Sequence, residues 1–129
     1  MTRSATTAPT ALVRVLQGAT VLTALNVLLQ FITAGQLFPD GGPEELHAAG
    51  ALSLHVFSGV AALAAIALWR KGHTTVVLPV LAVVVFLATI AQAAVGGRDT
   101  LWVHVPGAMV LTAGVVWLLV TVLRPLPRA

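Results

Sequence analysis

Three histidines, His47, His55 and His104, stand in stretches that are otherwise apolar: "EELHAAGALSLHVFSG" (residues 44–59) and "LWVHVPGAMVL" (residues 101–111). Imidazole is the side chain best suited to ligate a metal or to exchange a proton near neutral pH, and ionisable groups in apolar segments are costly enough to count as functional candidates. A fourth, His73, lies beside Arg70 and Lys71 in "RKGHTT", where an exposed loop position is the ordinary reading. If residues 44–59 are helical, His47 and His55 sit roughly 80° apart around the axis and about 12 Å apart along it. They cannot share one small ion, so a second ligand must come from another element, and His104 is the remaining candidate.

Four long apolar segments position these residues. Of the 129 residues, 58% are hydrophobic and 9% charged, and the mean hydropathy is +0.98, far from the makeup of a soluble domain. No Asp, Glu, Lys or Arg occurs from Val15 to Pro39, from Leu46 to Trp69, from Gly72 to Gly97 or from Thr100 to Leu123. Each gap is about the 20 residues that a helix needs to cross roughly 30 Å of hydrocarbon. The polar alternation of a barrel strand is missing, and helices satisfy their own backbone in lipid. The pattern predicts an all-α integral membrane four-helix bundle with helices at about 12–38, 46–69, 75–96 and 101–123, forming one domain over 12–124. Residues 1–11 and 125–129 read as short tails.

The bases set the orientation. Arg3 and Arg14 precede the first span, Arg70 and Lys71 separate the second from the third, and Arg124 and Arg128 follow the fourth. Asp40, Glu44, Glu45 and Asp99, with Arg98, occupy the other two loops. The positive-inside rule places both termini in the cytoplasm. The net charge of +3 is then a matter of topology, and no basic patch interleaved with aromatics points to nucleic acid. Cysteine is absent, which excludes disulfides, thiolate metal sites and covalent c-type haem. The apolar run after Arg14 is longer than a signal-peptide core, so it reads as a span.

Local signals agree with four helices. Pro43 suits a first helical position, and Glu44 and Glu45 then favour the positive end of the helix dipole. Pro79 falls in a first turn or a mild kink, Gly96 and Gly97 stop the third helix, and Asp99 or Thr100 is the expected N-cap of the fourth, with Pro106 near its first turn. An internal echo aligns "LSLHVFSGVAALAAIAL" (52–68) with "LWVHVPGAMVLTAGVVW" (101–117), and "LLQFITAG" resembles "TIAQAAVGG". It suggests a tandem repeat of a two-helix unit in which His55 matches His104.

In this topology the second and fourth helices are parallel, and two histidines can face each other across a plane standing between them. A b-type haem needs that arrangement, with an imidazole on each side of the iron and an apolar slot for the porphyrin. Ser58 and Gly59 follow His55, Gly107 and Ala108 follow His104, and Gly50 and Ala51 stand above, all small enough to open such a slot. The same residues also serve close helix packing. Counted from the cytoplasmic bases at about 1.5 Å per residue, His104 lies roughly 7 Å above His55 and 4 to 5 Å below His47. The echo and the greater depth favour His55 with His104 as the metal ligands, leaving His47 to a haem propionate or a substrate. Gln30 and Gln92 could hydrogen-bond a propionate or a quinone, or act as polar glue. Interhelical hydrogen bonds account for the histidines without any cofactor. Copper or zinc alone is disfavoured, because no carboxylate or Cys joins the histidines inside the spans.

The stretches "AGQLFPDGGPEELHAAGALSLHVFSG" and "LWVHVPGAMVL" resemble small four-helix bacterial membrane proteins of uncharacterised activity, over nearly the whole chain. A histidine on the second helix and another on the fourth is also similar to the halves of haem A synthase and to cytochrome b561-type bundles. The second resemblance implies haem b ligation, here by His55 and His104. The acids and arginines that accompany haem A synthase catalysis within its membrane helices are missing, so that reaction is not implied. The expectation is a small membrane cytochrome b that transfers electrons, working with a quinone or a redox partner protein and suited by its size to a homodimer. The alternative is a cofactor-free accessory subunit of a larger membrane complex. Proton-coupled transport lacks a carboxylate in the spans, and hydrolysis lacks a nucleophile with an orienting acid.

Overall fold

The computed structural model describes residues 10–37, 42 and 44–126. Four helices follow one another: α1 (Thr10–Gln36), α2 (Glu44–Arg70), α3 (Val77–Ala94) and α4 (Leu101–Leu123), with a single 3-10 turn, Arg98–Thr100, leading into α4. All four are long and apolar enough to span a membrane. Residues that a water-soluble bundle would hide stand on the outside: Leu63, Val110 and Trp102 are 69%, 74% and 79% exposed. Such a continuous apolar exterior suits lipid.

The bounds lie within a few residues of those expected from the charge gaps. Thr10 and Ala11, assigned by sequence to the tail, already belong to α1, while residues 1–9, Pro43 and the end of the chain from Pro127 lie outside the described residues. Arg70 closes α2, where Gly72 takes φ 73° and lets Gly72 and His73 N–H donate to the carbonyls of Trp69 and Leu68. Only glycine adopts that backbone cheaply. Pro79 occupies the first turn of α3, and Pro106 lies inside α4. Thr100 stands at the N-cap position of α4, as expected, but its hydroxyl makes no cap bond and donates backward, to the carbonyls of Val95 and Gly97. The 3-10 turn before α4 leaves that hydroxyl closer to the end of α3 than to the new helix.

Each helix packs against its neighbours in sequence, and α4 closes the ring against α1. Consecutive helices are antiparallel, as Gln30 meeting His47 and Asn26 meeting Ser53 show for the first pair. Helices α2 and α4 stand on the diagonal, with no backbone contact between them. Two ends result. The end carrying Arg14, Arg70, Lys71 and Arg124 is closed by Leu16, Ala61, Ala65, Leu68, Leu118 and Val122, none more than 1% exposed. Alanines on α2 let its neighbours approach closely, the packing mode expected where water supplies no driving force between helices. At the other end, where α2 begins and α3 stops, the described residues leave space between the helices.

Candidate functional site

At the end where α2 begins lies a cavity of about 960 Å³ lined by all four helices, at the upper end of the size range of cofactor and ligand sites. Its walls are mostly small or apolar, including Ala34, Gly35, Ala48, Ala51, Ala93, Gly96 and Ala108. Glu44 and Arg98 stand among the residues near its mouth, and Val27, Leu54 and Leu111 form the floor. His47, His55, His104, Gln30, Gln92 and Thr89 supply the polar atoms.

Each imidazole is held by its Nδ1. The Thr33 hydroxyl gives its own hydrogen back to α1, to the Leu29 carbonyl at 3.0 Å or that of Gln30 at 3.2 Å. It stands 3.0 Å from His47 Nδ1, and with its hydrogen on α1 it accepts from His47 Nδ1–H. By the same logic Thr89 donates to the Phe86 carbonyl at 2.7 Å and accepts from His55 Nδ1–H at 3.0 Å. His104 Nδ1–H donates to the Gln92 backbone carbonyl at 3.1 Å. A carbonyl accepts only, so the neutral His104 ring carries its hydrogen on Nδ1. With neutral rings and the threonine hydrogens on their own helices, all three imidazoles carry the hydrogen on Nδ1 and leave Nε2 as an acceptor. Metal-binding histidines are commonly oriented by such a bond from the other ring nitrogen.

The ring opposite His104 is that of His47. Their centroids are 6.5 Å apart and their planes cross at 69°. Here the structure departs from the pairing that the sequence favoured, because His55 enters the cavity lower on α2, about 12 Å along the helix from His47. Diagonal placement explains how His47 and His104 come so near while their helices do not touch: both side chains reach inward across the gap. Two imidazoles that approach one ion from opposite sides through bonds of about 2 Å have ring centres roughly 6 Å apart. The observed separation matches that span. Among the described residues no three His, Cys, Asp or Glu side chains form a metal cage, so the site offers two neighbouring imidazoles and not a closed coordination shell.

The glycines have other work. A Cβ on Gly59 would meet the Phe86 ring at 3.3 Å, which makes Gly59 a packing position between α2 and α3, outside the cavity lining. Gly107 also lies outside that lining: it receives the Gln92 side chain, whose Nε2 would stand 2.0 Å from a Cβ there. Gly50 receives Gln30 in the same way, again at 2.0 Å. Both facing histidines therefore begin the pattern His-x-x-Gly, His47 to Gly50 and His104 to Gly107, with a glutamine of the preceding helix laid on the glycine. Gln30 Nε2 also donates to the His47 carbonyl at 3.1 Å, and Gln92 Oε1 is buried with no partner among the described residues. The cavity is lined instead by Ala51 and Ala108 and by Ala34, Gly35, Ala93 and Gly96. The His104 ring rests on Gly96, with Cε1 3.7 Å from where a Cβ would be.

Sequence reasoning did not single out Thr33 and Thr89. The echo between "LLQFITAG" and "TIAQAAVGG" passes through both, but threonine is common in apolar helices and usually bonds its own backbone. Compared with protein-family models, with curated proteins and with solved structures, the chain matches none.

Proposed function

We propose that this chain is a small multi-pass membrane protein that holds a b-type haem between His47 and His104 and serves electron transfer. The observation that carries the reading is the pair of Nδ1-anchored imidazoles, 6.5 Å apart, inside a cavity of about 960 Å³. His47 and His104 would supply the axial nitrogens, Ala51, Ala108 and Gly96 the apolar flanks, and Arg98 near the mouth a positive charge toward propionate carboxylates. The haem, when bound, supplies one-electron chemistry, while the protein sets its ligands and the low dielectric around it. Interhelical bonding alone explains the Nδ1 contacts, each of which joins two helices. It leaves the open volume and the three Nε2 acceptors without a purpose.

We further place both termini in the cytoplasm of a bacterial plasma membrane, because Arg14, Arg70, Lys71 and Arg124 share one end of the bundle. The site then lies toward the external leaflet. We also read the chain as a tandem repeat, with His47 and not His55 as the counterpart of His104. Burial supports this register: Leu54, Ser58, Ala61 and Ala65 of α2 correspond at constant spacing to Leu111, Val115, Leu118 and Val122, the buried residues of α4. On α1 and α3, Leu16, Thr20, Thr23 and Val27 correspond likewise to Leu78, Ala82, Val85 and Thr89. The test is a pyridine haemochrome assay on protein purified from haem-replete cells. One non-covalent haem b per bundle is expected, and a colourless preparation ends the proposal.

A further inference from the structure

The cavity continues below the facing pair. His55 lies about 12 Å beneath His47 along α2, and Leu111 about 10 Å beneath His104 along α4. The lower part is lined by Val27, Leu54, His55, Thr89, Ala108 and Leu111. Two iron ligands account for the upper part only. The lower part is apolar except for one imidazole and the threonine that holds it.

The tautomer of the neutral imidazole follows from where the Thr89 hydrogen goes. Thr89 commits its hydrogen to the Phe86 carbonyl at 2.7 Å and accepts from His55 Nδ1–H at 3.0 Å, so His55 Nε2 is an acceptor that no described side chain satisfies. An acceptor nitrogen facing apolar walls selects a ligand that is itself largely apolar and brings one hydroxyl or amine hydrogen. The walls also reach the lipid-facing surface. Phe31, Leu52 and Val105, which line the cavity, are 45%, 66% and 53% exposed, more than a residue enclosed by the bundle would be. A molecule dissolved in the bilayer can arrive between the helices.

We infer that the cavity floor is a second subsite, which binds the head group of a lipid-soluble hydroquinone through a hydrogen bond from its hydroxyl to His55 Nε2. This deepens the reading above by naming the class of molecule that meets the haem site, and it rests on that reading for its purpose but not for its geometry. His55 is thereby a ligand-binding residue and not an iron ligand, with Thr89 as the residue that positions it.

The test uses the purified full chain in detergent under argon, with tetramethylhydroquinone and its dimethyl ether as probes in equilibrium dialysis. The two have nearly the same ring, but the ether has no hydrogen to donate. Wild type is expected to bind the hydroquinone about tenfold more tightly than the ether, the effect of one hydrogen bond to a buried acceptor. His55→Leu should erase that preference. Thr89→Val, which frees the ring to change tautomer, should reduce it, and serves if His55→Leu fails to fold by circular dichroism. Equal binding of the two probes by wild type, or a preference that survives His55→Leu, overturns the inference. A visible spectrum of the same samples separates the two proposals. A haem band without any hydroquinone preference retires the floor subsite alone, and a preference in colourless protein sustains it while ending the haem reading. A haem band lost in His55→Leu makes His55 an iron ligand and overturns the subsite.

Discussion

The two ends of this bundle use similar residues to opposite effect. At the basic end, Ala61, Ala62, Ala64 and Ala65 let neighbouring helices close until nothing is left between them, and Leu16, Leu68 and Leu118 fill the middle. At the histidine end, Ala34, Ala51, Ala93 and Ala108 line an open volume. What differs is the polar chemistry. Thr20, Thr23 and Ser58 donate to the carbonyl four residues back on their own helix, which costs the interface nothing and asks no partner of it. Near the cavity, Asn26, Gln30, His47, His55 and His104 bond across to another helix. Long side chains that reach over a gap prop the helices apart, and small residues then become space instead of contact. Gln17 is the exception at the closed end, since it donates to the Val122 carbonyl at 2.9 Å.

If that contrast holds, substitutions of one kind must act differently at the two ends. Leu118→Ala at the closed end is expected to cost about 2–5 kcal/mol, because the walls cannot collapse fully around the lost volume. Thermal unfolding in detergent measures it. Ala65→Leu, 0% exposed in wild type, should cost about 1–3 kcal/mol through overpacking. Ala108→Leu at the cavity should leave the unfolding midpoint nearly unchanged while lowering haem content, and equal destabilisation by the two alanine changes would break the comparison. Thr33→Val should have the smallest effect on stability, about 1 kcal/mol or less. It removes the anchor of the His47 ring, however, and should weaken haem retention by about 10–100-fold, the usual consequence of losing a partner behind a metal ligand. Haem transfer to an apo-acceptor protein reads that loss.

The four helices could be read from the spacing of Arg14, Asp40, Glu45, Arg70, Lys71, Arg98, Asp99 and Arg124, because a charge is expensive in hydrocarbon and so marks where hydrocarbon ends. The three histidines that line the cavity were equally visible. That the ring beside His104 is His47 and not His55 was not, and the reason is instructive. Depth counted from the bases already put His104 nearer His47 than His55, but the string Leu-x-x-His-Val-x-x-x at 52 and, with its small residues, at 101 favoured a different register. In an alphabet of Ala, Val and Leu, such identities arise easily. Burial patterns discriminate better, since they report which face of a helix turns inward, and that information exists only once the helices are packed. Gly59 and Gly107 were misplaced for a related cause. Sequence shows that a position is small, whereas the neighbouring helix decides whether Phe86, a glutamine or open space meets it.

The central claim, that His47 and His104 together grip one iron, is tested most directly by the visible spectra of four purified proteins: wild type, His47→Ala, His104→Ala and His55→Ala. A bis-imidazole haem spectrum in wild type and His55→Ala, lost in each of the other two, is the expected result. Loss in His55→Ala with retention in His47→Ala would contradict it.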